Sequence, residues 1–340
     1  MDCIGKNKKN LEKGSKLHVV YGDVTLGVHG ISDLGKTFDY IWSYSHGGME
    51  SMVLDGKEWL YREPHPTFWR ALTDNDRGSG FHLRSGMWMA ADLFQKCSGI
   101  QIAIDQKEIP LPIAPENNRY GIEECAEQVE ISFIYETITV PVTKVKVCYQ
   151  VDVIGQIRVN VHYYGKKGLP ELPVFGMRFQ IPTKAVFYRY QGLSKETYPD
   201  RMAGGKPGIY TIKGLPITPY LVPQDCNVHM ETQWLEVYRN TVKSNVKEDE
   251  KSKKELFGIR FSAIERAFAF SCIPYTAEEL ENATHQEELP FARRTVVSIL
   301  GAVRGVGGIN SWGADVEKEY RISGEQDIVF SFLIRAAKEE

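Results

Sequence analysis

The sequence is poor in the features that mark membrane proteins, secreted disulfide scaffolds and nucleic-acid binders. No apolar run approaches the roughly 20 residues needed to cross a bilayer. The six cysteines, Cys3, Cys97, Cys125, Cys148, Cys226 and Cys272, show no C-x-x-C spacing and no pairing cadence. Several sit in apolar strand patterns, where cysteine acts as a small hydrophobe, so a reducing, cytoplasmic location is expected. A formal net charge of −3 leaves no broad basic field, so neither nucleic acid nor a membrane is expected as a partner. The one basic cluster is Lys6, Lys8, Lys9, Lys13 and Lys16, and no apolar segment follows it as in a secretory signal. Residues 1–16 are therefore read as a flexible tail, and Asn282-Ala283-Thr284 is a glycosylation sequon in form only. Met1 with such a short tail fits an independent gene product, and a C-terminal piece of one longer chain would look similar.

Helical periodicity is also scarce. Ser85–Phe94 reads as one short helix, and Thr276-Ala277-Glu278-Glu279 reads as a capping box opening another, through about Glu288. What dominates instead is period-2 alternation of apolar and polar residues. Residues 143–151 and 156–164 alternate cleanly around Asp152-Val153-Ile154-Gly155, which predicts a hairpin with one face buried. Similar segments recur at 17–21, 37–44, 57–61, 101–104, 128–135, 175–181, 187–191, 234–238, 256–261, 267–272, 295–302 and 327–334. Roughly fifteen to eighteen strands with frequent Gly and Pro punctuation predict an all-β fold. With no natural cut between them, residues 17–340 are read as one large antiparallel β-sandwich with one or two short helices. The polar run Lys243–Lys254 reads as a solvated hairpin tip.

Four motifs are more specific. They are Phe68-Trp69-Arg70-Ala71-Leu72-Thr73-Asp74-Asn75-Asp76-Arg77-Gly78, the segment Tyr40 to Tyr61, Gly192-Leu193-Ser194-Lys195-Glu196-Thr197-Tyr198-Pro199-Asp200-Arg201, and Gly307-Gly308-Ile309-Asn310-Ser311-Trp312. The first reads locally as a strand leaving the core into a turn that bonds its own backbone through short polar side chains. In this order the four resemble the C-terminal β-sandwich domain of family 2 β-galactosidases, which heterodimeric forms carry as a separate small subunit. The chain departs from the family at Ser194-Lys195, where Gly-Pro is usual, and at Asn310, where Asp is usual. The later Pro223–Met230 segment keeps only the start of its family motif.

The resemblance implies a sandwich of the galactose-mutarotase-like type and a division of labour. Retaining glycoside hydrolysis needs two carboxylates about 5 Å apart. The family carries them, with its magnesium, on a TIM barrel, and this sequence shows neither the alternating βα pattern nor the barrel's Asn-Glu motif. No catalytic residue, no metal and no cofactor is therefore assigned to this chain. A β-galactosidase large subunit is the expected partner, and terminal β-galactosides such as lactose are the expected substrate. Spacing alone leaves Trp312 either a core indole at a strand end or an exposed one. The resemblance makes it a substrate-binding residue at the aglycone end of the partner's pocket, together with Asn310 and the loop Gly78, Ser79 and Phe81, in which the glycines supply a hinge. Asp74, Asn75, Asp76 and Arg77 are read as turn-holding or interface residues, and Arg70 as the partner of a buried carboxylate. Glu196, Tyr198, Asp200 and Arg201 are read as an ion-pair network or an interface with the barrel subunit.

Two alternatives stay open. One is a free-standing carbohydrate-binding module. The other is an aldose-epimerase-like enzyme, which needs a His acid facing a Glu base, with His162 as the His on offer. His229 is read as a packed or surface histidine. His285 with Glu288 is read as a pair of solvated side chains.

Overall fold

The computed structural model describes residues 16–243 and 255–338. The tail expected over residues 1–16 falls outside them except for Lys16, and Cys3 and residues 244–254 of the expected hairpin tip also lie outside. Among the described residues, twenty-one strands form three sheets of ten, six and five strands. Every ladder between named strands is antiparallel. The predicted hairpin is present as Lys144–Asp152 paired with Ile157–Tyr163 at the centre of the ten-stranded sheet. Burial in Ile157–Tyr163 alternates strictly, as one dry face requires.

One face of the ten-stranded sheet packs against both smaller sheets. Phe179 of the five-stranded sheet meets Phe261 and Phe332 of the large one at ring separations of 5.2 and 6.1 Å. Trp42 of the six-stranded sheet meets Tyr149 at 6.2 Å. At the hairpin turn, Tyr40 donates to the Gly155 carbonyl at 2.6 Å, and Phe38 lies where a Cβ on Gly155 would sit. Gly155 is there both for its φ of 75° and for this close approach. The core is thus shared by all three sheets.

The structure extends the predicted strand set in places where local signals were masked. Arg62–Thr67 contains Pro64 and Pro66 yet pairs as an edge strand of the five-stranded sheet, the position proline tolerates. Thr25–Ile31 contains Gly27 and Gly30, and a Cβ at Gly30 would lie 2.4 Å from the Phe38 ring. The strands Trp234–Arg239 and Phe257–Ala263, which flank the polar run, pair directly. Cys97, Cys125, Cys148, Cys226 and Cys272 are all free thiols.

The turn expected at Asp74-Asn75-Asp76 is instead a helix, α1 (Asp74–Gly78), followed by α2 (Phe81–Ser85) and α3 (Met87–Leu93). Thr73 caps α1, and its hydroxyl and the Asp76 carboxylate satisfy each other's backbone N–H in a capping box. The predicted 85–94 helix corresponds to α3. Its Trp88 is fully buried, stacks on Phe68 at 5.5 Å and donates to the Pro170 carbonyl. The second capping box opens α4 (Ala277–Asn282), which ends earlier than expected; a 3-10 turn at Gln286–Glu288 takes over. One or two short helices were expected, and four α-helices form among the described residues.

Candidate functional site: a clamped tryptophan loop

After the strand Thr295–Val303, the chain enters a loop that carries Trp312 and lies against α1. Trp312 is 92% exposed, which settles the choice that spacing left open: the indole is not core. The loop beneath it is nevertheless fastened at several points. The Asp200 carboxylate, itself largely buried, accepts from the backbone of Val306 at 3.0 Å and of Gly307 at 2.8 Å. Arg201 donates to the Gly307 carbonyl, and Asn75 donates to the Val306 carbonyl at 2.9 Å. Gly305 and Gly308 leave room for these side chains, since a Cβ on either would lie 2.7 Å from Asp200 or Asn75.

The far side of the loop is held by charge. Arg304 is fully buried, with its guanidinium 4.3 Å above the Phe81 ring, and pairs with Asp315 at 2.7 Å and Glu171 at 3.3 Å. Arg84 reaches the same Asp315 at 2.6 Å. Burial pushes the Asp315 carboxyl up, but the hydrogen bond and charge of Arg304 outweigh it and hold the carboxyl below its ordinary value. At the tip, the Asn310 side chain accepts from the Trp312 and Ala314 backbones at 2.9 and 3.3 Å. Gly313 has φ 77°, and a Cβ there would lie 2.8 Å from the Gly78 carbonyl, so the tip rests on the end of α1.

Beneath α1 is a buried ionic layer. Arg70 pairs with Asp76 at 2.8 Å and donates to the Gly305 carbonyl at 3.2 Å, tying α1 to the loop root. Next to it, Tyr198 donates to Asp225 at 2.8 Å. Burial raises the Asp225 carboxyl to about 6, against the opposing pull of the Arg70 charge and the Tyr198 hydrogen bond. Glu196 accepts from the Asn227 backbone at 2.6 Å and from the Thr218 hydroxyl. Glu281 accepts from the Leu72 backbone at 2.7 Å and faces Arg77 at 3.6 Å. Each carboxylate beneath or beside the loop named so far holds backbone or a cation, except Asp225, which accepts from the Tyr198 hydroxyl.

Residues 34–334 match the family of beta galactosidase small chains. The chain belongs to the β-galactosidase small-chain family. It is 57% identical to the β-galactosidase small subunit of Latilactobacillus sakei, over 94% of this chain and 98% of that one. It is 32% identical to β-galactosidases of Streptococcus thermophilus and Halalkalibacterium halodurans, spanning 27% and 29% of their lengths. Among solved structures, a putative aldose 1-epimerase from Escherichia coli K12 covers 95% of this chain and is itself 99% covered, at 9% identity and a TM-score of 0.41. A likeness that slight carries no argument about chemistry.

Several site expectations need correcting in placement. Phe81, expected at the pocket mouth, is fully buried under Arg304, because its ring fills the space between α2 and the loop root. The Gly78-Ser79-Gly80 hinge is the junction of α1 and α2: Ser79 donates to the Asp76 carbonyl, and its own carbonyl accepts from Arg84 at 2.8 Å. Tyr198 is buried rather than part of an outer interface. The expected ion-pair network around Asp200 and Arg201 is a backbone clamp, the two charges standing 4.0 Å apart. Arg70 does meet a buried carboxylate, as its setting predicted. The residues missed were Arg304 and Asp315, whose partners lie far away in sequence and leave no local signal. His162 pairs with Asp327 at 2.7 Å and stacks on Tyr164, so its partner is an Asp rather than a facing Glu. His229 is packed against Phe270, and burial lowers it to about 4.

Proposed function

We propose that this chain is the non-catalytic small subunit of a β-galactosidase, and that its Trp312 loop completes the aglycone end of a pocket whose carboxylates lie on a barrel-bearing large subunit. Assembled, the two would hydrolyse terminal β-galactosides such as lactose in the cytoplasm. The observation that carries this reading is Trp312, an indole 92% exposed on a loop fastened at its roots and tip. An indole face offers the C–H side of a sugar ring an apolar platform, and its N–H offers a donor. The loop backbone is fastened while the indole is left in solvent, an arrangement that suits an occupant stacking on it. Asn310 shapes the tip, and Gly78 and Ser79 support it from below. The acids nearby are engaged in structure, which suits a subunit that binds and positions rather than cleaves. Any magnesium belongs to the partner's barrel and enters no step carried by this chain.

The test is hydrolysis of a chromogenic β-galactoside by the chain alone and after co-expression with a large subunit of this family. Activity confined to the mixture supports the reading. Turnover by the chain alone would overturn it.

A further inference from the structure

Away from the Trp312 loop, the outer face of the five-stranded sheet carries a cleft of about 550 Å³ between the edge strand Arg62–Thr67, the strand Val174–Ile181, α3 and α4. Three other hollows in the fold hold about 30 Å³ each, room for a water or two. This one falls in the size range of small-molecule sites. The strand Thr295–Val303 has Arg294 before its first residue and the loop root after its last, so the cleft and the loop root stand about 30 Å apart along an extended strand. The floor of the cleft is fixed by ion pairs. Arg178 holds Asp92 at 2.6 Å and Glu278 at 3.3 Å, and donates to the Trp69 carbonyl. Asp92 also accepts from the Thr67 hydroxyl and the Trp69 backbone. Arg294 holds Glu279 at 2.7 Å, and Glu63 on the wall pairs with His46 at 2.9 Å.

The groups left over define the occupant. Gln180 lies across the ladder from Arg62 and two residues along from Arg178, so all three side chains share the face that lines the cleft. Neither the Gln180 amide nor the exposed guanidiniums of Arg62 and Arg293 have a partner among the described residues. Two positive charges without counter-charges therefore stand at the mouth, and each guanidinium can take a carboxylate or phosphate through two parallel hydrogen bonds. Deeper in, the partly exposed Glu278 and Glu279 offer acceptor lone pairs beside the donors of Gln180 and Arg178. A hydroxyl donates and accepts at once, which suits such a mixture. A bare anion would be repelled by the two carboxylates, and a neutral sugar would leave both mouth arginines unpaired. We propose that this cleft binds a small anionic saccharide, a sugar phosphate or a sugar acid, with its charged group on Arg62 and Arg293 and its hydroxyls on Gln180, Glu278 and Glu279. This site goes beyond the function proposed above and does not rest on it.

The experiment is a calorimetric titration of the full chain, in the absence of any large subunit, using galactose 6-phosphate, galacturonate, galactose and inorganic phosphate as probes. One of the two charged sugars is expected to bind at least about 10-fold more tightly than galactose or phosphate, the value of one charged hydrogen bond. Which of the two it is identifies the anionic group. The double variant Arg62→Gln with Arg293→Gln should lose that preference and keep the parental melting midpoint, because both side chains are exposed and unpaired. Galactose binding as tightly as the charged sugars would remove the role of the arginines. Phosphate binding as tightly would make the cleft a plain anion site. No heat from any probe at millimolar concentration would show that the cleft takes no such ligand. Charged-sugar binding that survives the double variant, or is lost in Trp312→Ala, would place the ligand elsewhere. Each of these four results overturns the cleft and leaves the function proposed above untouched, since that function is read from hydrolysis by the assembled enzyme.

Discussion

Replacing Trp312 with alanine separates display from packing. The indole is 92% exposed and its loop is held through Asn310, Asp200, Asn75 and Arg201, none of which uses the indole ring. Losing the side chain should therefore change folding stability by no more than about 0.5 kcal/mol, as for other surface substitutions. In a chain of this size that is a melting shift of about 1 °C or less. Fully burying a large apolar side chain against a ligand contributes about 1.5–3 kcal/mol, or roughly 10- to 100-fold in affinity at about 1.4 kcal/mol per decade. In the assembled enzyme, KM for lactose and for acceptor sugars should rise by about that factor. Turnover of an aryl galactoside with a good leaving group should change much less. Trp88→Ala is the control: that indole is fully buried against Phe68 and Tyr163 and should cost about 3–5 kcal/mol. If Trp312→Ala melts many degrees lower, or if its aglycone kinetics match the parent enzyme, the displayed-platform reasoning fails.

Asp200→Asn leaves one acceptor where the backbone of Val306 and Gly307 needs a carboxylate, and should cost about 1–3 kcal/mol by chemical denaturation. It should also raise aglycone KM in the same direction as Trp312→Ala, and unaltered kinetics would show that the clamp does not position the indole. Gly313→Ala forces a side chain into φ 77° and against the Gly78 carbonyl; about 1–3 kcal/mol of local strain should displace the tip, read as a change in Trp312 fluorescence anisotropy. Asp225 has a folded value near 6, above its ordinary one, so the native state holds this proton more tightly than the unfolded chain. Its contribution is favourable at low pH and is lost as pH rises from about 4 through 6. Asp225→Asn, facing Arg70, Tyr198, Glu196 and Asp76, should remove that slope from a melting-versus-pH series, and an unchanged slope would assign the titration elsewhere.

The fold was legible because a half-buried strand writes its two faces into the sequence as alternation. The predicted hairpin around Gly155 and strands such as Leu17–Tyr21 appear almost where the pattern placed them. Strands were missed where other demands overwrote alternation, as in Arg62–Thr67, whose prolines are tolerated at an edge, and Thr25–Ile31, whose glycines make room for Phe38. The helix at Asp74 looked like a turn because a capping box and an Asx turn draw on the same short polar residues. At the candidate site, the resemblance singled out the Trp312 loop, and its glycines fall at close approaches to Asn75 and Gly78. No local pattern announced Arg304, because its partners Glu171 and Asp315 and the Phe81 ring meet it only in the folded chain.

The electrostatics of this end explain why it presents an aromatic group and not an acid. Asp76 is committed to Arg70 and the α1 cap, Asp200 to loop amides, Asp315 to Arg304 and Arg84, Glu196 to Asn227, and Glu281 to Leu72 and Arg77. Asp225 is the one carboxyl here raised to the range of a general acid, yet it accepts from the Tyr198 hydroxyl and lies beside the Arg70 charge, so it too is engaged in structure. Ion pairs of this kind do not add greatly to net stability, because desolvation offsets most of the attraction. Their effect is to forbid alternatives: Arg70 and Arg304 meet their carboxylates only when the loop root and α1 occupy one arrangement. The result is a tip whose backbone is fixed while its largest side chain remains in water. Such a surface lowers the ordering cost of binding in advance, which is what the proposed two-chain pocket would require for one stacked ring to contribute its full affinity.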